Sequence, residues 1–438
     1  MSNNTSPAIE PLRPIRFGPR LDVHFARGIR AGRWVFATGQ MAQDNSGSIA
    51  ADVLCQHLPQ RGEPRFTREA SHLFDNVEET LRAGSTNIHN TARLDQYYRT
   101  HKTVDPYHLI RLSRFSEGVP PSTSIVMNDL LVPEATIELQ AIAIVPDEEF
   151  YIRPAYDPAL DGPPESGFPM GLCAGDYIFL SGNVASPKAG DPSVDGVASK
   201  ARMREHSTWW GQPILLETEY IVRERMEPAL EQVGSSLENV VKAQVYLTDI
   251  DEAAAFNQAW SRCFPSGVPA TTIIPCTPNR LGVPKSRIEI NMLALRKAGD
   301  TIKQEIEADV FSAFEGHPLA VRAGDLLCLS GLMAVDNGGV PDLIRCANSP
   351  ARFGSTTEGQ AECILENAEQ ICRAAGTSLN NVVRIQQFHT NLDEFYATHK
   401  VWQQLLPDIP LPYSAIGVPG SLPVPGCTIL MDLWVYIP

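Results

Sequence analysis

The sequence predicts an α+β protein built from three tandem copies of one β-β-α-β-α-β-β unit, and matched spacings are the main evidence. Each copy opens with an apolar strand that ends in Ser/Thr-Gly. These glycines are Gly39, Gly182 and Gly331, which lie 143 and 149 residues apart. A helical stretch follows each strand and ends at a second glycine. These second glycines are Gly84, Gly234 and Gly376. So many matched offsets are unlikely by chance, and they indicate three diverged units of ordinary domain size.

Apolar residues that recur every four positions locate the first helix of each unit. In unit one, Leu73, Val77 and Leu81 lie on one face and predict a helix that Gly84 closes. The first helices are predicted over residues 67–83, 215–233 and 356–375. The second helices are predicted over 105–115, over 249–264 and from 392 onward, each beginning near an aspartate that can cap it.

Strands are predicted where short apolar or alternating runs follow turn residues. Residues 240–247 alternate polar and apolar side chains, as a half-buried strand does, and 382–389 repeat this run in unit three. The remaining strands are predicted over 33–38, 177–180, 326–330, 135–145 and 431–437.

The chain divides at linkers that carry proline or glycine. We expect a flexible tail over residues 1–14, unit one over 15–150, unit two over 151–298 and unit three over 299–438. One unit has helices on only one face of its sheet, so three units packed together would bury the bare faces. This predicts an intramolecular pseudo-trimer. An insertion at 185–213 interrupts unit two and is predicted to be a covering loop.

Composition excludes several classes of function. The net charge is −15 and no basic stripe is present, so a nucleic-acid surface is not expected. The nine cysteines are scattered, with no Cys-x-x-Cys pair and no zinc spacing, which predicts no metal, no cofactor and reduced thiols in a cytoplasmic protein. The start of the chain does not resemble a signal peptide. No run approaches the roughly 18 apolar residues of a membrane helix.

Unit two carries motifs that resemble a known family. They are Ala174-Gly175-Asp176, Leu180-Ser181-Gly182-Asn183, the run 243–249, Pro269-Ala270-Thr271 and Ile288-Glu289-Ile290-Asn291. In this order they are similar to the Rid family, also called YjgF or reactive intermediate deaminases. The resemblance implies a chorismate-mutase-like fold and sites in clefts between the subunits of a homotrimer. Here it implies three clefts within one chain, and it leaves room for a homo-oligomer of pseudo-trimers.

The resemblance also locates candidate cleft residues. The family arginine that holds a substrate carboxylate is matched to Thr123, Thr271 and Ser414, so the arginine-dependent amino-acid imine activity is not expected. The water-holding glutamate is matched to Gln140, Asn291 and Asp432. The cleft asparagine is matched to His108, Asn257 and His399, and the cleft tyrosine to Phe25, Phe168 and His317.

Groups able to move a proton near neutral pH are the candidate catalytic residues. They are His399, His317, Asp432 and His108, three of them in unit three. The candidate substrate-binding residues are Ser330, Gly331, Ser414, Thr38, Gly39, Thr123, Gln140, Ser181, Gly182, Asn257, Thr271 and Asn291. Residues from two neighbouring units line one cleft, so the unit-three residues need not meet. A structural role for His399 and His317 remains the alternative.

Two functions follow from these residues. The first is an enzyme that hydrolyses or deaminates an imine, enamine or amide C–N bond of a small-molecule substrate in a cleft between units. The alternative is a non-catalytic small-ligand-binding or scaffold protein that lost the chemistry with the arginines.

Overall fold

Three large β-sheets organise the residues that the computed structural model describes, which are 8–17, 23–55, 62–157, 159–161, 166–203, 212–345 and 355–438. The first sheet contains β1 (Glu10–Phe17), β2 (Val23–Ala31), β3 (Trp34–Gln40), β4 (Thr91–Tyr98), β5 (Ser122–Val126) and β7 (Ile137–Ile144). A short strand, β6 (Asp129–Leu130), belongs to the same unit but pairs elsewhere. The helices of this unit are α1 (Ala51–Leu54), α2 (Arg65–Ala83) and α3 (Val104–Arg114).

The second and third sheets repeat this arrangement. Unit two contributes β8 (Ile152–Ala155), β9 (Gly171–Ala174), β10 (Tyr177–Leu180), β11 (Asn183–Val184), the hairpin β12 (Ser193–Val194) and β13 (Val197–Ala198), then β14 (Val240–Leu247), β15 (Ala270–Pro275) and β16 (Ile288–Leu295). Its helices are α4 (Pro213–Tyr220), a π-helical segment (Ile221–Met226), α5 (Glu227–Gln232) and α6 (Ala253–Cys263). Unit three contributes β17 (Lys303–Ile306), β18 (Ala320–Ala323), β19 (Leu326–Leu329), β20 (Val382–His389), β21 (Tyr413–Gly417) and β22 (Ile429–Tyr436), with α7 (Asp342–Arg345), α8 (Thr356–Ala374) and α9 (Phe395–Leu405).

The three sheets share one strand order. It runs β1-β2-β3-β7-β4-β5 in the first sheet, β8-β9-β10-β16-β14-β15 in the second and β17-β18-β19-β22-β20-β21 in the third. The last two strands of each list pair in parallel, and the other neighbours are antiparallel. The short β6 of unit one pairs with β21 and extends the third sheet, so a strand of unit one lies on the sheet of unit three.

Each unit begins with a strand that the sequence analysis does not predict. β1, β8 and β17 are edge strands that carry charged residues, and β1 and β8 also contain proline, which hides them from a search for apolar alternation. β1 overlaps the expected flexible tail, because residues 10–14 pair with β2 and Leu12 is buried. Residues 1–7 lie outside the described residues. Each unit therefore has the element order β-β-β-α-β-α-β-β.

The sheet faces opposite the helices meet in the interior. Trp34, Phe179 and Trp434, one from each sheet, belong to a single buried apolar cluster. Beside it lies a central polar network, whose members are Arg93, Asp95, Tyr97, Thr123, Gln140, Lys242, Gln244, Tyr246, Asn291, Arg384, Gln386 and Asp432. The faces that would be bare in one isolated unit are thus buried between sheets.

The predicted insertion of unit two is partly a hairpin. β12 and β13 pair with each other, and Val197, Ala198 and Ala201 are buried against the core of unit two. Residues 204–211, with the tryptophan pair 209–210, lie outside the described residues. None of the described helices is long and apolar enough to cross a membrane.

Candidate active site

A cavity of about 570 Å³ lies where unit one meets unit two. Unit one lines it with α3 and the start of β5, and unit two lines it with the end of β10, β11, the π-helical segment and β16. Its polar lining residues are Asp105, His108, Ser122, Ser124, Asp161, Ser166, Ser181, Asn183, Ser186, Arg225 and Glu289. Its apolar walls include Leu109, Leu112, Leu160, Phe168, Val184 and Val283.

Gly182 brings the two units together at the floor of this cavity. Its N–H donates to the carbonyl of Ser122 at 2.9 Å. A Cβ at this position would lie 2.3 Å from Oε1 of Glu289 and 2.9 Å from Oγ1 of Thr123. The strand-end glycine is therefore required for close approach: any side chain here would displace the carboxyl group of Glu289.

Glu289 places a carboxyl group in the cavity. It lies on β16 opposite Tyr246 and is 6% exposed. Burial raises the pKa of Glu289 to about 8, against the opposing influence of Arg93 and of a hydrogen bond from the Ser124 backbone. This carboxyl group is therefore mostly protonated at pH 7, which allows it to donate a proton to a ligand.

His108 faces the same cavity from α3. Burial, helped by the nearby charge of Arg111, lowers the pKa of His108 to about 3. The ring is therefore neutral at pH 7, and its Nε2 is buried without a hydrogen-bond partner among the described residues. A neutral imidazole offers one donor and one acceptor nitrogen to a ligand.

The strand pairing revises which residues are equivalent at the family's arginine position. The partners across the parallel pairs are Leu94↔Ser122, Ala243↔Thr271 and Ile385↔Tyr413. Ser122, Thr271 and Tyr413 are thus equivalent. Thr123 and Ser414, matched from sequence, each lie one residue further along. With either set of residues, none of the three units has arginine at this position.

The strand pairing also changes which residues are equivalent at the family's glutamate position in the last strand. Glu138, Glu289 and Leu430 are equivalent, because each lies opposite an aromatic residue of the neighbouring antiparallel strand. Gln140, Asn291 and Asp432, proposed from sequence as the water-holding positions, lie two residues further on the same strand face. Glu289, rather than Asn291, is the residue that lines the cavity.

Gln140, Asn291 and Asp432 belong to the central polar network. Asp432 is fully buried and accepts from Nζ of Lys242 at 3.1 Å and from Nε2 of Gln244 at 3.0 Å. Asn291 donates to Oγ1 of Thr123 at 3.1 Å, and Gln140 accepts from Nη2 of Arg384 at 3.2 Å. Asp432 is therefore paired inside the core and does not line the cavity, contrary to the catalytic role expected from sequence.

At the junction of units two and three, side chains bond to one another. Nε2 of His317 hydrogen-bonds Oδ1 of Asn257 at 2.6 Å, and burial lowers the pKa of His317 to about 4. The N–H of Gly331 donates to the carbonyl of Thr271 at 3.0 Å. The N–H of Thr271 donates in turn to the hydroxyl of Ser330. Leu430 takes the place of Glu289, so this junction has no carboxyl group at that position.

Tyr413 is buried at the junction of units three and one. Its ring stacks on Phe25 with centroids 6.4 Å apart and meets His399 edge-on at 5.4 Å. The carbonyl of Tyr413 would lie 1.8 Å from a Cβ on Gly39, which follows Thr38 at the end of this strand. Ser414 donates to the carboxyl group of Glu138. His399 is fully buried, and burial lowers its pKa to about 4.

The structure therefore brings together only part of the set predicted from sequence. His108, Ser181 and Gly182 line the cavity, whereas His399, His317 and Asp432 do not. Sequence reasoning missed Glu289, Ser122 and Arg225. A signal for Glu289 exists in the sequence: Ile-Glu begins the last strand in both unit one and unit two, where unit three has Ile-Leu.

The His317–Asn257 contact provides a test of which predicted residues belong to the cavity and which do not. Replacing Asn257 with alanine removes the acceptor of one buried hydrogen bond, which should lower the free energy of unfolding by about 1 kcal/mol. Turnover of any substrate should stay within a few-fold, because this contact lies outside the cavity. Urea unfolding and steady-state kinetics on the same preparation measure both. A hundredfold loss of kcat in the folded variant would contradict the assignment.

Comparison with known proteins places the chain in a family. The family model described as Endoribonuclease L-PSP matches residues 216–296 and 310–434. Protein mmf2, mitochondrial, of Schizosaccharomyces pombe is 32% identical over 106 residues, which are 24% of this chain and 73% of that protein. A RutC family protein of Pyrococcus abyssi is 27% identical over 111 residues, 25% of this chain and 74% of that protein.

Solved structures match about a third of the chain. The crystal structure of yeast Mmf1 matches with 20% identity and a TM-score of 0.27, covering 33% of this chain and 99% of that one. The structure of RidA from Psychrobacter sp. PAMC 21119 matches with 28% identity and a TM-score of 0.26, covering 31% and 99%. The fold and the sequence relatives together define an α+β protein of the chorismate-mutase-like type. The chain belongs to the Rid (YjgF) family, as the motifs of unit two predict.

Proposed function

We propose that the three units form an intramolecular pseudo-trimer with one working cleft, the cavity between unit one and unit two. There the chain hydrolyses or deaminates the C–N bond of an imine, enamine or amide. The observation that carries this proposal is Glu289, a buried carboxyl group with a pKa of about 8 beside a glycine that admits a ligand to it. At the equivalent places of the two other junctions, among the described residues, Tyr413 packs against Phe25 and His317 hydrogen-bonds Asn257, and neither place offers a carboxyl group free of a side-chain partner.

The chemistry of an imine illustrates how these groups would act. Neutral Glu289 donates its proton to the imine nitrogen, which makes the carbon more electrophilic and leaves a carboxylate. As the C–O bond forms, that carboxylate accepts a proton from the attacking water. A second proton transfer to nitrogen lets the carbinolamine expel ammonia, and the hydroxyl proton returns to Glu289. Neutral His108 would orient the nitrogen-bearing group through its unpartnered Nε2.

Ser122 distinguishes this site from the arginine-dependent amino-acid imine activity. It stands where the resemblance expects an arginine, and a hydroxyl group suits a neutral carbonyl or hydroxyl better than a carboxylate at that point. Assays of ammonia release from imines and enamines generated in solution, and from amides, test the function. Acceleration over the uncatalysed rate supports it, and binding of these compounds without acceleration would support the ligand-binding alternative.

The pKa of Glu289 predicts the pH dependence of this reaction. The proposed first step needs the protonated carboxyl group, so kcat/KM should be level below pH 8 and should fall as pH rises above about 8. A substrate that does not titrate between about pH 6 and 10 should be used. A rate that rises through pH 8 would instead make the Glu289 carboxylate the reactive form.

We further propose that this protein is cytoplasmic and needs no metal or cofactor. We propose that it binds neither nucleic acid nor membrane and that its pseudo-trimers can form homo-oligomers. The relative mmf2 is named mitochondrial, so fractionation of cells that express the chain is the test of location. We further propose that unit two covers 151–298 and unit three 299–438, and that unit one begins at β1 and ends at 150, so the tail is limited to the residues before β1.

A further inference from the structure

Arg225 places a guanidinium group in the cavity wall. It lies in the π-helical segment Ile221–Met226, which interrupts the long helix of unit two. π-helical turns inside α-helices are frequent at functional sites because they re-aim side chains. Arg225 is 6% exposed and lines the cavity beside Asn183.

The hydrogen bonds described for Arg225 all go to neutral oxygen atoms. Nε donates to Oδ1 of Asn183 at 3.2 Å, Nη2 to the carbonyl of Leu160 at 2.9 Å and Nη1 to the carbonyl of Ala159 at 3.4 Å. None of these partners in the described part of the chain is a carboxylate. Each terminal nitrogen carries two N–H groups and uses one of them in these bonds, so each has a further N–H to offer to a carboxylate.

A second arginine lies behind the opposite wall. Arg111 is fully buried and donates to Oγ of Ser122 at 3.2 Å and to the carbonyl of Ser166 at 2.7 Å. The equivalent position in unit two is Trp260, which donates to Thr271. Of the three equivalent helix positions, Arg111, Trp260 and Trp402, the one in unit one is a cation, and it donates to Ser122 in the cavity lining.

The acidic groups of the cavity do not cancel these cations. Glu289 is mostly neutral at pH 7 because of its raised pKa. Asp105 is exposed at the rim. Asp161 accepts from the backbone N–H of Met170 at 2.6 Å. Asp157 and Asp161 act on Arg225 across a distance, since the hydrogen bonds described for Arg225 go to other residues.

We propose that Arg225 is the anion-binding residue of this cavity, and that the ligand carries a carboxylate remote from its C–N bond on an apolar body. This proposal rests on the proposed function, which places the C–N bond of the ligand at Glu289. Arg225 lies on the π-helical segment of unit two, whereas Ser122, at the family's arginine position, lies on β5 of unit one. Leu160, Phe168 and Val283 contribute apolar surface to the same cavity. Arg111 acts through Ser122 as a positioning residue.

The test compares two probes of nearly one shape that differ in charge, 4-phenylbutanoate and its methyl ketone counterpart 5-phenylpentan-2-one. Neither contains a C–N bond, so binding is measured by calorimetry without turnover. The intact chain should bind the carboxylate about tenfold or more tightly than the ketone, as expected for charge-assisted hydrogen bonds. Arg225→Met should bring carboxylate affinity down to that of the ketone and leave ketone affinity unchanged.

Matched variants separate this role from a structural one. Arg27→Met removes another buried arginine that donates to main-chain carbonyls, outside this cavity, and should keep the preference. Arg225→Gln repeats the test with a neutral polar side chain if Arg225→Met does not fold. Equal binding of both probes by the intact chain, or a preference that survives loss of Arg225, would overturn the proposal.

The proposed function can fail separately. Glu289→Gln should bind both probes as the intact chain does. A chain that prefers the carboxylate but hydrolyses no imine, enamine or amide would refute the proposed reaction and leave the anion site standing.

Discussion

Replacing Glu289 with glutamine is expected to lower kcat for C–N hydrolysis about 10²- to 10⁴-fold. Glutamine preserves the shape and the hydrogen-bonding ability of the side chain, but it can neither donate nor accept a proton in the reaction. Ligand affinity should change little, because the amide fills the same space beside Gly182. Single-turnover rates measured with saturating substrate separate this loss of chemistry from a loss of binding.

Glu138 provides the matched control. It is the equivalent residue of unit one, is fully buried, and burial raises its pKa to about 8, as for Glu289. Its carboxyl group accepts hydrogen bonds from Ser414 and Gln140 at the junction where Tyr413 is buried. Glu138→Gln should therefore leave kcat within a few-fold. A comparable loss in both variants would mean that Glu289 acts through the fold and not through proton transfer.

Both variants should also change how stability depends on pH. Each glutamate has a folded-state pKa above its ordinary value, so ionisation at high pH opposes folding, and the cost grows between pH 4.5 and about 8. Glutamine does not ionise. Each variant should gain, relative to the unmodified chain, on the order of a few kcal/mol of unfolding free energy between pH 5 and pH 9. An unchanged pH dependence would contradict the raised pKa values.

The sequence predicts the elements well because they depend on local patterns. Residues 382–389 form the predicted strand, and the three first helices end beside Gly84, Gly234 and Gly376. The edge strands β1, β8 and β17 were missed, because charge and proline on an edge strand remove the alternation that identifies it. Motifs from a single unit were likewise enough to identify the family.

The working cleft could not be predicted from pattern alone. Residues two apart on a strand share a face, so Glu289 and Asn291 are indistinguishable until the neighbouring unit is in place. A shift of one residue in the pairing of β5 and β21 hid the equivalence of Ser122 and Tyr413. Whether a cleft is open depends on contacts between sheets. Ser122 and Tyr413 are equivalent residues at two different junctions, and the tyrosine ring is much larger than the serine side chain.

Replacing Asp95 with alanine should lower the free energy of unfolding by about 3–5 kcal/mol. Asp95 of unit one accepts from Arg93 at 2.7 Å and from Arg384 of unit three at 2.5 Å, and all three residues are at most 3% exposed. Removing this carboxylate leaves two guanidinium groups buried together without the counter-charge that both contact. The loss should fall on the junction between units one and three.

Asp147 is the matched control, because its ion pair with Arg33 is exposed at the surface. Asp147→Ala should cost only about 0–1 kcal/mol. Burial alone would raise the pKa of Asp95, but Arg93 and Arg384 outweigh burial and hold it below its usual value. Its stabilising contribution is therefore present above the ordinary carboxyl pKa and is lost as pH falls through the lower folded-state pKa. Urea unfolding at pH 7 and at decreasing pH measures both effects. A cost for Asp95→Ala as small as that for Asp147→Ala would show that the central polar network does not hold the units together.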